Sequence, residues 1–82
     1  MAKRTKAEIE ALFRKTAHDV LKKDLSSVAP ETKFAAMQVA SVDVMEIIGA
    51  MEDELGVELP DSALARVESV QDLVQLFDDQ QN

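Results

Sequence analysis

Few side chains in this sequence are equipped for chemistry, and the most suggestive one stands at the mouth of an apolar and acidic run. Across residues 39 to 60, VASVDVMEIIGAMEDELGVELP, the only hydroxyl belongs to Ser41. From there apolar residues return at helical spacing: Val44, Met45, Ile47, Ile48, Met51 and Leu55 form one broad face, with Asp43, Glu46, Glu52, Asp53 and Glu54 mostly outside it. By position alone Ser41 reads as an N-cap, its hydroxyl accepting from a first-turn amide. The same place suits a second role. Unpaired amides and the positive end of the helix dipole stabilise an anion, so a phosphodiester attached to that oxygen would have part of its charge offset by the backbone.

No other reactive groups gather into a site. His18 is the only histidine and falls in the middle of an amphipathic stretch, paired with no serine or carboxylate constellation, so it reads as an ordinary helix residue and no catalytic centre is expected. The absence of cysteine excludes a thiol nucleophile, a disulfide framework and a Cys-based zinc site, and a cytoplasmic setting fits best. Glu52, Asp53 and Glu54 follow one another around a helix and cannot turn their oxygens onto one ion as a calcium loop does. Neither glycine belongs to a phosphate-binding loop.

These residues need a scaffold, and 82 residues are enough for a single domain spanning 1–82. A chain of that size buries only about 60 to 65 % of its unfolded surface, so its core must be compact. With 46 % hydrophobic and 30 % charged residues it can build one. Thr5 and Glu8 form a capping-box pattern ahead of Ile9, Leu12, Phe13, Ala17, Val20 and Leu21, which predicts a first helix from Lys6 to Lys23, with Lys22 and Lys23 in its last turn. Residues 24–40 keep no sustained period, and Pro30 opposes helix just before it. Leu25, Val28, Phe34, Met37 and Val39 are spaced to pin this long loop to a core. The second helix starts near Ser41 and stops at Gly56. Asp61 or Ser62 is placed to cap a brief turn through Leu64 and Ala65, and Ser69 to cap a last helix carrying Val70, Leu73, Val74 and Phe77. The tail DDQQN is expected to fray. The fold class is all-α: a small bundle of three longer helices and one short one, with a long loop between the first two.

Charge narrows the partners. Residues 1–23 hold seven Lys or Arg against three acids, whereas residues 24–82 hold two against thirteen, within a net charge of -7. An acidic surface repels phosphate backbones, so nucleic acid is a poor partner and a protein with a basic docking patch a better one. The opening MAKRTK resembles the front of a secretion signal, but the glutamates of AEIEALFRK stand where an apolar stretch is required. No apolar run reaches the length of a membrane span.

Taken in order, Ser41-Val42-Asp43, Met45-Glu46-Ile47-Ile48, Ala50-Met51-Glu52-Asp53-Glu54-Leu55, Glu58-Leu59-Pro60-Asp61 and Ser69-Val70-Gln71-Asp72-Leu73 resemble the acyl carrier protein family. The likeness runs from Phe34 to Phe77, and the N-terminal helix and loop extend it to nearly the whole chain. It implies an acyl-carrier-protein-like bundle in which a phosphopantetheinyl transferase attaches 4'-phosphopantetheine to Ser41. The thiol of that arm, which the chain itself does not encode, would hold a thioester-bound intermediate of fatty acid, polyketide or related biosynthesis. It further implies a monomeric carrier, not an enzyme, whose second helix is the docking surface. Val42, Met45 and Gly49 would shape its apolar part, while Asp43, Glu46, Glu52 and Asp53 would meet Arg and Lys on acyl-loading and synthase enzymes. The chain departs from the family pattern at three places. Ala40-Ser41-Val42 replaces the usual Asp-Ser-Leu, Gly49 stands where a bulkier apolar residue is frequent, and Gln38 takes the place of a frequent glycine. The competing reading is an unmodified helical adaptor of the same fold, binding one protein through its acidic second helix.

Overall fold

A computed structural model describes residues 4–25 and 27–81. Met1–Lys3 of the basic opening and Asn82 of the tail lie outside the described residues. Among the described residues four helices run in the order α1 (Lys6–Leu21), α2 (Ser41–Leu55), α3 (Asp61–Leu64) and α4 (Val70–Gln80), with a 3-10 helix at Phe34–Met37. The bundle is therefore all-α, as the periodicity predicts. Among the described residues the only ladder contact is an isolated antiparallel bridge between Lys33 and Ser69.

The start of α1 is closed by the reciprocal pair read from the sequence. The Glu8 amide donates to the Thr5 hydroxyl at 3.1 Å, and the Thr5 amide donates to Glu8 Oε1 at 2.9 Å. The helix stops at Leu21, two residues short of expectation, because Lys22 turns left-handed (φ 58°) and its amide returns to the His18 carbonyl at 2.9 Å. Ile9, Phe13 and Ala17 are fully buried on one face. That face lies against both α2 and α4. From the other side it meets Ile47 and Met51 of α2 and Val70, Leu73 and Phe77 of α4. Each large side chain so buried contributes roughly 1.5–3 kcal/mol, more than any single cap, so packing and not local propensity holds the bundle together.

The connection between α1 and α2 is pinned where its apolar residues predict. Leu25, Phe34 and Val39 are buried, and the Phe34 ring tilts against Phe13 with centroids 5.9 Å apart. Arg14 adds a polar tie, its guanidinium donating to the Leu25 carbonyl while also pairing with Glu10 at 2.9 Å. Backbone bonds from Gln71 to the Pro30 carbonyl (2.9 Å) and from Phe34 to the Glu68 carbonyl (2.8 Å) fasten the same segment to the approach of α4. The 3-10 helix within it, four residues long, is too short to show a period, and it ends with Gln38 left-handed at φ 60°.

Two further expectations are corrected. The N-cap of α3 is Pro60, with no side-chain cap from Asp61 or Ser62. The tail does not fray through its length: α4 continues to Gln80, and Gln81 accepts from the Arg4 amide at 3.2 Å while its own amide group returns to the Arg4 carbonyl. Ser69 caps α4 as expected, accepting from the Asp72 amide at 3.2 Å.

Candidate functional site

The residue before α2, not Ser41, is its N-cap. Ala40 has the extended backbone of that position (φ -73°, ψ 153°), and the amides of Asp43 and Val44 donate to its carbonyl at 3.0 and 3.1 Å. The alanine side chain has no oxygen to offer the first turn, and no side chain caps it. Ser41 is thus the first helical residue, exposed, with a hydroxyl that caps nothing. The capping role that position suggested is overturned. What remains is an accessible oxygen at an uncapped helix start, where an anion meets orphan amides and the dipole end.

The other predicted residues spread along α2 from that point. Val42 and Met45 are the exposed large hydrophobics among the described residues, at 73 % and 52 % exposure, so Met45 leaves the apolar core face on which its spacing placed it. Glu46 and Asp53 are exposed, Asp43 is half-buried in the first turn, and Gly49 is half-buried. A β-carbon built on Gly49 would meet nothing within 4 Å, so the glycine leaves a notch in this surface and fills no packing need. Glu52 does something the sequence did not suggest. It is half-buried, and its Oε2 accepts from the Leu59 amide at 2.6 Å, tying α2 to the turn that leads into α3. Val42, Met45, Glu46 and Asp53 therefore form a mixed apolar and acidic patch below Ser41, with Glu52 turned partly inward.

Beside Ser41 opens a groove of about 590 Å³. Its apolar lining comes from Phe34 and Val39, from Val44, Met45 and Ile48 of α2, and from Leu64 and Val67; Lys33, Asp61 and Glu68 add charge. Only the α2 side of this groove follows from a local pattern. The rest is assembled from the 3-10 helix and the α3 segment, for which the sequence offers only separate cues: Phe34 and Val39 as loop anchors, the Glu58-Leu59-Pro60-Asp61 turn and the brief helical turn through Leu64. Elsewhere, His18 is an exposed helix residue whose Nδ1 lies 3.9 Å from Asp19. Among the described residues no group of His, Asp and Glu is arranged to hold a metal ion. No described helix is long and apolar enough to cross a membrane.

Comparison with known proteins adds independent findings to this geometry. Residues 11–77 match the family described as "Phosphopantetheine attachment site". The chain is 36 % identical over 69 residues to an acyl carrier protein of Thermosynechococcus vestitus, covering 83 % of this chain and 85 % of that one. An acyl carrier protein of Helicobacter pylori is 37 % identical over 57 residues, 68 % of this chain and 73 % of its own. Among solved structures, an acyl carrier protein from Thermotoga maritima superposes with a TM-score of 0.85 at 25 % identity, over 93 % of this chain and 89 % of the other. The fold is shared as well with a hexanoyl acyl carrier protein from the actinorhodin polyketide synthase of Streptomyces coelicolor, at a TM-score of 0.74 and 23 % identity over 96 % and 92 % of the two chains. Sequence and architecture agree over most of the chain's length: it belongs to the acyl carrier protein family and contains the phosphopantetheine attachment site of that family.

Proposed function

We propose that Ser41 is the attachment residue and that the chain is a monomeric carrier in the cytoplasm, not itself a catalyst, for intermediates of fatty acid, polyketide or related biosynthesis. The observation that carries this reading is the placement of Ser41: exposed, first in α2, freed from capping by Ala40, and on the edge of the groove. The residues fit the prosthetic group on two counts. The uncapped amides of α2 lie where its phosphodiester would be joined, and the adjoining groove is lined mainly by apolar side chains. Its volume falls inside the range of roughly 300–1,000 Å³ usual for small-molecule sites, enough for a short acyl chain. When bound, the group supplies a thiol for thioester formation. The chain's own residues would anchor the arm, shelter part of the cargo and present α2 to partners.

Partner docking rests on the patch of Val42, Met45, Glu46 and Asp53. Exposed acids speed encounter with a basic surface and orient it, while the two apolar side chains give local contact near the attachment point. Such an interface separates readily, as a shuttle that visits a transferase, acyl-loading enzymes and synthases requires. An unmodified adaptor could use the same patch, but it has no use for a groove opening at Ser41.

The test is intact mass after incubation with coenzyme A and a broad-specificity phosphopantetheinyl transferase. We expect one added phosphopantetheine on the wild-type chain and none on Ser41→Ala. An unchanged wild-type mass with transferases of more than one type would refute the carrier reading.

A further inference from the structure

The groove has one long wall and two short ones. The long wall is α2, fifteen residues packed on α1. Facing it are the four-residue 3-10 helix and residues 59–68, whose only helical part is the four-residue α3. A single turn is not stable alone. In this segment Leu59 and Ala63 are buried, Leu64 and Val67 are half-buried, and the remaining side chains are exposed. It is a strap, and its ends are fastened by carboxylates. At one end Glu52 Oε2 accepts from the Leu59 amide at 2.6 Å. At the other, Lys33 Nζ donates to Glu68 Oε2 at 2.7 Å, beside the 2.8 Å backbone bond from Phe34 to the Glu68 carbonyl, and the Glu68 amide donates to Asp72 Oδ2 at 3.1 Å. Lys33 and Glu68 both line the groove, and they join its two short walls to each other.

We propose that Lys33 and Glu68 form a clasp that ties the strap 59–68 to the 3-10 helix and thereby sets how readily a chain carried at Ser41 enters and leaves the groove. This rests on the carrier reading for the identity of the occupant, and on the geometry alone for the clasp. Both side chains are well exposed, at 65 % and 59 %. A pair so placed is weak and opens often, which suits a closure that must release its contents on each visit to a partner. Without it, this end of the strap is held by the Phe34–Glu68 backbone bond and the adjoining Lys33–Ser69 bridge alone, and the groove loosens between its short walls while the α1–α2–α4 core stays intact.

Amide hydrogen exchange on the unmodified chain tests the clasp directly. In Lys33→Ala and in Glu68→Gln, amides of residues 61–67 should exchange about two- to five-fold faster than in the wild type, the range a surface ion pair permits. Those of Leu73, Val74 and Phe77 should not change. The charge-swapped double variant K33E/E68K should return exchange toward the wild-type rate. Exchange unaltered in both single variants would overturn the proposal, as would a swap that stays as loose as the singles, because the effect would then belong to lost packing. For the cargo, chains loaded with a hexanoyl-phosphopantetheine arm are treated with hydroxylamine, and the single variants should lose their thioester faster by a similar factor. Equal rates would sever the clasp from the cargo. Failure of any transferase to load the chain would instead remove the carrier reading, a result separable from the exchange data taken without the arm.

Discussion

Two positions just before and at the start of α2 decide how the hydroxyl of Ser41 is used. With alanine as N-cap, the first turn lacks the side-chain acceptor that serine, threonine or aspartate would supply, at a cost of about 1 kcal/mol. Ala40→Asp should recover that amount and raise the melting temperature by several degrees, as read in thermal unfolding. It also restores the carboxylate that the family resemblance places before the serine, so modification by a transferase should become faster. Ser41→Ala, by contrast, should change stability by less than about 0.5 kcal/mol, as expected of an exposed residue that caps nothing. A loss of 1 kcal/mol or more would mean that the hydroxyl caps the helix after all. Gln38, like Lys22, carries a conformational cost, at φ 60° where glycine is at home. Gln38→Gly should stabilise the fold by about 1 kcal/mol, the relief of the left-handed backbone exceeding the extra freedom of the unfolded chain.

At the scale of elements, the helices that were predicted best are those with their own boundary chemistry. Thr5 with Glu8, Gly56 and Ser69 mark ends of α1, α2 and α4 because a cap needs only neighbouring residues. The cap of α1 is also a pH-sensitive element. The Thr5 amide, and after it the Thr5 hydroxyl, hold the Glu8 carboxyl below its ordinary pKa. A carboxylate whose pKa is depressed on folding adds stability that is fully present above its unfolded value of about 4.3 and is lost as pH falls through the folded one. Thermal melts should therefore show Glu8→Gln less stable than the wild type at neutral pH, with the gap closing in acid below the ordinary carboxylate range. A gap that widened in acid would contradict the assignment. α3 and the 3-10 helix were harder to read, since four-residue elements have no period and exist only because Phe34, Leu59 and Ala63 are buried elsewhere.

Across the whole molecule, charge is poorly balanced. Thirteen of the sixteen acids follow residue 23 with only Lys33 and Arg66 among them, so the bundle that surrounds Ser41 repels itself. Raising ionic strength from about 0.01 M to about 1 M shortens the Debye length from about 30 Å to about 3 Å. The melting temperature should rise over that interval by a few degrees, measured by circular dichroism, because relief of repulsion outweighs the loss of the few exposed ion pairs. A fall would show that the pairs dominate. The same imbalance serves encounter with basic partners, so the field that weakens the compact state is the one the docking patch uses.

The amino-acid order alone was enough for the all-α class and for the three long helices within a few residues, and it singles out Ser41 as the candidate residue, because helical period, caps and a serine ahead of an amphipathic run are local properties. Three things were decided only by tertiary structure. Ser41 does not cap, since cap and first residue differ by one position and the path of the incoming chain selects between them. Met45 turns outward and Glu52 partly inward, since a helical stripe is broad and its neighbours determine which edge is covered. The groove and its Lys33–Glu68 clasp join residues 35 apart in sequence, and no local pattern encodes a contact that forms only when two short segments are pressed together by a core they share.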